Sequence, residues 1–96
     1  MVIVIGRARC RPEQRDELLA AAKQMQDRSR QEEGCLYYGF FTAIDDPLSF
    51  VAVEEWTNRE ALDRHFEQPH LHEFSRRLGD LVSEPPEVAI HEAADG

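Results

Sequence analysis

The run Phe50-Val51-Ala52-Val53-Glu54-Glu55-Trp56 constrains the fold more than any other part of this chain. It reads as a β-strand, ends on the only tryptophan, and passes straight into Thr57-Asn58-Arg59-Glu60-Ala61-Leu62-Asp63-Arg64-His65, which reads as a short helix. Thr57 and Glu60 have the spacing of a capping box, and Pro69 stops the helix just before His70. A large aromatic, two imidazoles and a carboxylate therefore meet at one strand–helix junction. Such a junction suits the wall of a pocket for an aromatic ligand.

The rest of the chain supplies the frame. Val2 to Cys10 alternates as a first strand, with a small apolar face and a second face that becomes charged at Arg7 and Arg9. Pro12 suits the first turn of a helix that runs to about Gln31, with Leu18, Ala21, Ala22 and Met25 on one side. Arg28, Arg30, Glu32 and Glu33 read as solvated surface, and Gly34 as the helix end. Leu36 to Ala43 is an aromatic-rich second strand. Asp45-Asp46-Pro47 is the turn of a hairpin with a longer loop to the third strand, Phe50 to Trp56. Leu71, Phe74, Leu78, Leu81 and Val82 mark a third helix, and Val88 to Glu92 a short last strand after Pro85-Pro86. The end, Ala93 to Gly96, reads as frayed.

The order β-α-β-β-α(α)-β is α+β and ferredoxin-like, with helices over one face of a four-stranded antiparallel sheet. Both parities of strands two and three are apolar, so the other face needs a cover too. Two copies packed sheet to sheet, a homodimer, supply it. The 96 residues make one domain, 1–96, with one modest core.

Composition narrows the partners. With 11 Lys+Arg against 19 Asp+Glu the formal net charge is -8, which argues against nucleic acid or an anionic membrane. No apolar run reaches transmembrane length, and the apolar start is too short for a signal peptide, so a cytoplasmic location is expected. Cys10 and Cys35 lack CxxC spacing and read as buried free thiols. His65, His70 and His72 do not have a metal-site spacing, since a helix break separates the first two. No phosphate loop, dinucleotide fingerprint or nucleophile elbow is present, so no cofactor is expected.

Several segments together resemble the antibiotic biosynthesis monooxygenase family of dimeric α+β barrel proteins. They are Glu32-Glu33-Gly34-Cys35-Leu36, Asp45-Asp46-Pro47, Phe50–Trp56, Arg59 to His65, and Pro69-His70-Leu71, in the family's order and spacing. The resemblance implies a pocket between sheet and helices in each subunit. It also implies cofactor-free oxidation of quinols or anthrone-like polycyclic aromatics by molecular oxygen, although the wider family includes heme-degrading and isomerase-type branches. It places Trp56, His65, His70 and Arg76 at candidate catalytic positions. The chain departs from the polyketide oxygenases at Ala52, where they tend to carry an amide. It departs from the heme branch at Gly6 and Arg7, where that branch relies on a strand-one asparagine.

Cofactor-free oxygenation needs a flat electron-rich substrate, a base to take its proton, and a dry site that stabilises the anion. Trp56, Tyr38, Phe40, Phe66 and Phe74 offer aromatic surface for that substrate, His65 or His70 a base, and Arg76 a cation. Glu54 shares strand parity with Trp56 and faces the same side; if buried it needs Arg7, Arg9 or a histidine as partner. The same residues also fit bland roles: a core tryptophan, a structural histidine at 65, a helix-capping histidine at 70 and a surface arginine at 76. Two other functions use the same pocket, a heme-binding or heme-degrading protein and a non-catalytic carrier of a small aromatic.

Overall fold

The computed structural model describes residues 1–94. The strands are β1 (Val2–Arg9), β2 (Cys35–Ala43), β3 (Asp46–Trp56) and β4 (Glu87–Glu92); the helices are α1 (Arg15–Ser29), α2 (Arg59–Phe66) and α3 (Pro69–Leu81). The sheet order is β2-β3-β1-β4, and every neighbouring pair is antiparallel. This is the expected ferredoxin-like α+β arrangement.

Period-two alternation decides which face of each strand is buried. Val2 and Val4 on β1, Tyr38 on β2, and Phe50, Ala52, Glu54 and Trp56 on β3 face the helices and are buried. The opposite face carries Tyr37 and Phe41, which are 39% and 49% exposed in the single chain. Two apolar clusters form under the helices. One joins Trp56 to Val2, Val4, Met25, Tyr38 and Leu62; the other joins Phe50 to Cys10, Leu18, Ala21 and Leu81. Phe74 packs against both.

The differences from expectation lie at the joints. Pro12 opens a short 3-10 turn, Pro12–Gln14, that leads into α1. Helix α1 stops at Ser29, before Gly34. Gly34 has φ +88°, and a Cβ there would lie 2.5 Å from that of Ala61, so it serves a tight crossing of the α1–β2 turn over α2. The hairpin is tight, because Ala43 pairs with Asp46 and only Ile44 and Asp45 form the loop. Arg9 on β1 pairs with Asp46, and the Asp46 side chain accepts from the Leu48 N–H, which extends β3 to that residue. Asn58, not Thr57, caps α2: its side-chain oxygen accepts from the Ala61 N–H at 2.9 Å. Thr57 is instead held by its N–H to the Gly34 carbonyl, 2.9 Å away.

At the chain end the Ala93 N–H donates to the Met1 carbonyl at 2.8 Å, so Ala93 is tied to the sheet. The expectation for residues 95 and 96 lies outside the described residues. Cys10 is buried, Cys35 half-buried, and both are free thiols. Among the described residues no helix is long and apolar enough to cross a membrane.

Candidate functional site

A cavity of about 190 Å³ lies between the helix-facing side of the sheet and helices α2 and α3. Its position follows from residue size. Gly6 on β1 and Ala52 on β3 are opposite each other in the register, and a Cβ on Gly6 would be 3.7 Å from that of Ala52. Two small neighbours leave a hollow in the sheet floor that the helices do not fill. Phe40, Phe66 and Phe74 form its sides, with Phe40 and Phe74 tilted at 5.7 Å between ring centroids. Arg7, Pro86, Glu87 and Val88 also line it and are exposed, so the cavity opens toward the β1–β4 edge.

Two polar side chains interrupt the apolar wall at the inner end, Glu54 and His65. Glu54 is 7% exposed and His65 1% exposed. The Trp56 indole N–H donates to Glu54 Oε1 at 3.0 Å, and His65 Nε2 is 3.7 Å from the same oxygen. Burial pushes the Glu54 carboxyl up from 4.5 to about 7, against the opposing pull of its bonds to Trp56 and Tyr38. Burial also lowers the His65 imidazole, while Glu32 beside it acts in the opposite sense. Tyr38, which reaches Glu54 with its hydroxyl, is held firmly protonated by burial first and by that carboxylate second. The site thus holds one buried carboxyl pushed up toward neutrality at the inner end of a largely apolar chamber.

Of the partners expected for a buried Glu54, the histidine is present as His65, with the Trp56 indole beside it, while Arg9 is engaged with Asp46 at the far end of its strand.

Of the residues singled out from sequence, Tyr38, Phe40, Glu54, His65, Phe66 and Phe74 line the cavity. Trp56 does not. It is fully buried behind the wall, its ring 4.6 Å from that of His65 at 35°. His70 is also outside, in a surface depression with Glu32 and Arg64. Arg76 is exposed and lines no part of the cavity. It stands 200° around α3 from Phe74 by helical geometry, so the face that brings Phe74 inward turns Arg76 away. The cation on the cavity's rim is Arg7.

Glu32 is a candidate site residue that the sequence does not single out. It was grouped with the solvated charges, yet its side chain is 12% exposed, and one oxygen, Oε2, lies 2.7 Å from His65 Nδ1 and 2.8 Å from His70 Nε2. The carboxylate stands between the two imidazoles at hydrogen-bonding distance. A helix break separates His65 and His70 in sequence, but Glu32 brings them to one oxygen, and the three ligand-type atoms fall within 4.8 Å of one another. His72 stands apart from them, with Nε2 2.8 Å from the Phe66 carbonyl oxygen. The cavity is smaller than the ~300–1,000 Å³ typical of pockets for drug-sized ligands, so a porphyrin-sized macrocycle does not fit it as it stands.

Known proteins share this architecture. The model of the family described as antibiotic biosynthesis monooxygenase matches residues 1–77. The chain belongs to that family. This antibiotic biosynthesis monooxygenase family member is 30% identical over 95 residues to the Bacillus subtilis protein named "Putative monooxygenase YcnE", covering 99% of this chain and 100% of that one. It is 35% identical over 94 residues to the protein sll1783 of Synechocystis, covering 98% of this chain but 64% of that one, so it spans under two thirds of that relative's length. The solved structure of Rv0793 from Mycobacterium tuberculosis superposes with a TM-score of 0.92 at 32% identity, over 99% of this chain and 96% of that one. Family membership and the name of the Bacillus subtilis relative support a monooxygenase-type function.

Proposed function

We propose that this chain is a cofactor-independent monooxygenase that oxidises a one- or two-ring quinol with molecular oxygen. The observation that carries the reading is the buried Glu54 carboxyl at the inner end of a largely apolar cavity, where burial pushes it up to about 7. A base with that affinity for protons is matched to a phenolic O–H at neutral pH. The volume sets the substrate class: a cavity of about 150 Å³ accommodates benzene, so 190 Å³ suits one or two rings better than an anthrone or a heme.

In this reading the quinol lies against the packed Phe40 and Phe74 rings with one hydroxyl toward Glu54. Glu54 takes the proton and His65, 3.7 Å away, stabilises the charge that passes through it. The electron-rich anion reduces oxygen by one electron and recombines with it at the buried inner end of the cavity, beside Glu54 and His65. Trp56 holds Glu54 in place through the indole N–H and does not touch the substrate. Arg76 is replaced in the anion-stabilising role by Arg7 at the rim.

The natural assembly in this reading is a homodimer, in which the aromatic outer face at Tyr37 and Phe41 packs on its counterpart.

The test is oxygen uptake by purified protein with hydroquinones, naphthohydroquinones and anthrones, corrected for spontaneous oxidation. Uptake with one- and two-ring quinols that falls at least tenfold in Glu54→Gln supports the assignment. Saturable quenching of Trp56 fluorescence without uptake points instead to a carrier of small aromatics.

A further inference from the structure

We propose that Glu32 and His70 form the outer half of a proton relay that connects Glu54, through His65, to solvent. The inference rests on the reading of the cavity as a place where a quinol loses a proton. It assigns work to two side chains that do not touch the cavity.

Four groups from four segments of the chain lie in line. Glu54 is on β3, His65 on α2, Glu32 in the turn after α1, and His70 in the first turn of α3. The successive separations are 3.7 Å from Glu54 Oε1 to His65 Nε2, 2.7 Å from His65 Nδ1 to Glu32 Oε2, and 2.8 Å from that oxygen to His70 Nε2. The middle link is a hydrogen bond from His65 Nδ1–H to Glu32, and the outer one lies at hydrogen-bonding distance and closes when the proton reaches Glu32 or His70 Nε2. The inner one shortens with less than 1 Å of side-chain movement, as catalytic contacts often do when substrate enters. At the far end His70 opens on a surface depression shared with Arg28, Glu33 and Arg64.

A purely structural role explains less. One carboxylate on His65 would be enough to satisfy and orient a buried imidazole. Placing a second imidazole on the same oxygen extends the chain outward to water. The other ionisable groups along the path do not compete for the proton. Tyr38 is held protonated, and the Cys35 thiol, close to both carboxylates, is pushed up to about 11 by burial first and by their charge second.

The chemistry balances over one turnover. The quinol O–H bond breaks, its electron pair stays on oxygen, and the proton forms an O–H bond on Glu54. Glu54 passes it to His65 Nε2 as His65 Nδ1–H passes to Glu32. Glu32 gives it to His70 Nε2, and His70 releases Nδ1–H to water. Glu32 thus accepts an N–H from His65 before the transfer and from His70 after it. The quinol anion and molecular oxygen then combine to a peroxide anion. One proton returns by the same path to that anion, and the resulting hydroperoxide loses water to leave a new carbonyl. One proton out and one proton in restore both histidines to their starting tautomers.

The experiment compares wild type, Glu32→Gln and His70→Ala in oxygen uptake with 1,4-naphthohydroquinone, with and without added imidazoles. The expected result is a loss of about tenfold or more in kcat for both variants, with KM changed less than about twofold. Imidazoles restore His70→Ala in proportion to their concentration and in the order of their pKa values, and do not restore Glu32→Gln. Wild-type turnover that persists in both variants overturns the relay alone. Rescue that ignores imidazole pKa shows that His70 merely fills space and overturns it as well, as does turnover that depends on an added divalent cation. Wild-type protein that takes up no oxygen with any quinol overturns the proposed function, and the relay with it.

Discussion

The Trp56 indole N–H donates to Glu54 across 3.0 Å, inside a core where neither side chain meets solvent appreciably. The tryptophan therefore acts on the cavity at one remove. Its hydrogen bond favours the charged form of a carboxyl that burial drives toward the neutral one. Trp56→Phe removes the donor and keeps most of the ring. A hydrogen bond to a charged group contributes about 1.5–3 kcal/mol, and one pKa unit is about 1.4 kcal/mol, so the Glu54 pKa is expected to rise by about 1 to 2 units. The acidic limb of the kcat/KM profile should move to higher pH by that amount. An unmoved limb would show that Glu54 is not the titrating base.

Glu54 also ties stability to pH. Its folded pKa of about 7 lies above the ordinary 4.5, so the folded state binds more protons between these values than the unfolded state does. The stabilisation is fully present below about pH 4.5 and is lost as pH rises through about 7. The difference corresponds to about 3 kcal/mol. His65, whose pKa is lowered, works in the opposite sense: its contribution is present above 6.5 and is lost as pH falls. Urea denaturation of wild type and Glu54→Gln at pH 5 and pH 8 separates the two. The variant should lose the downward slope with rising pH and keep the slope due to His65.

The cavity floor offers a steric test. Ala52→Leu places three further carbons beside Gly6, in space that is already empty. Binding of 1-naphthol, read by Trp56 fluorescence, should weaken by more than about tenfold, while the Tm stays within a few degrees or rises, as cavity filling commonly allows. Unchanged affinity would place the ligand elsewhere.

Gly34 is under two separate constraints. Its φ of +88° disfavours any side chain, and a Cβ would press on Ala61 at 2.5 Å and Thr57 at 3.0 Å. Gly34→Ala should cost about 1–3 kcal/mol in denaturant unfolding, well above a typical surface substitution. The same change displaces the turn that carries Glu32, so activity should fall with stability.

The outer face of the sheet has its own prediction. Tyr37 and Phe41 sit on one side of β2 with Gly39 between them, both well exposed in a single chain. Light scattering should report a dimer for wild type and a folded monomer for the Tyr37→Lys/Phe41→Glu double substitution. A wild-type monomer at micromolar concentration removes the case for sheet-to-sheet packing.

The sequence made the sheet and the helix faces legible because periodicity is a local property, repeated along each element. Glu54 could be placed on the inner side from strand parity alone, and Phe74 from the apolar spacing of α3. Caps and turns were less legible. Thr57 and Asn58 are both good caps, and the choice between them depends on a contact with Gly34, remote in sequence. The site was legible only where its residues sit on regular elements. Glu32 carries no local sign of its role: it stands beside Glu33 in a charged stretch, 33 residues before the histidine it meets. The family resemblance places Trp56 and Arg76 at candidate catalytic positions, but a resemblance says nothing of how this chain packs. Packing put the first behind the wall and the second on the far side of its helix.

The hollow exists because Gly6 and Ala52 are small, whereas the acid–base groups stand at the other end of the chamber on side chains anchored by the core. The two properties are encoded independently. A lineage built on this plan can change which molecule it admits by altering a few methyl groups in the sheet, one substitution at a time. Under the proposed mechanism such changes leave Glu54 and His65 where they are.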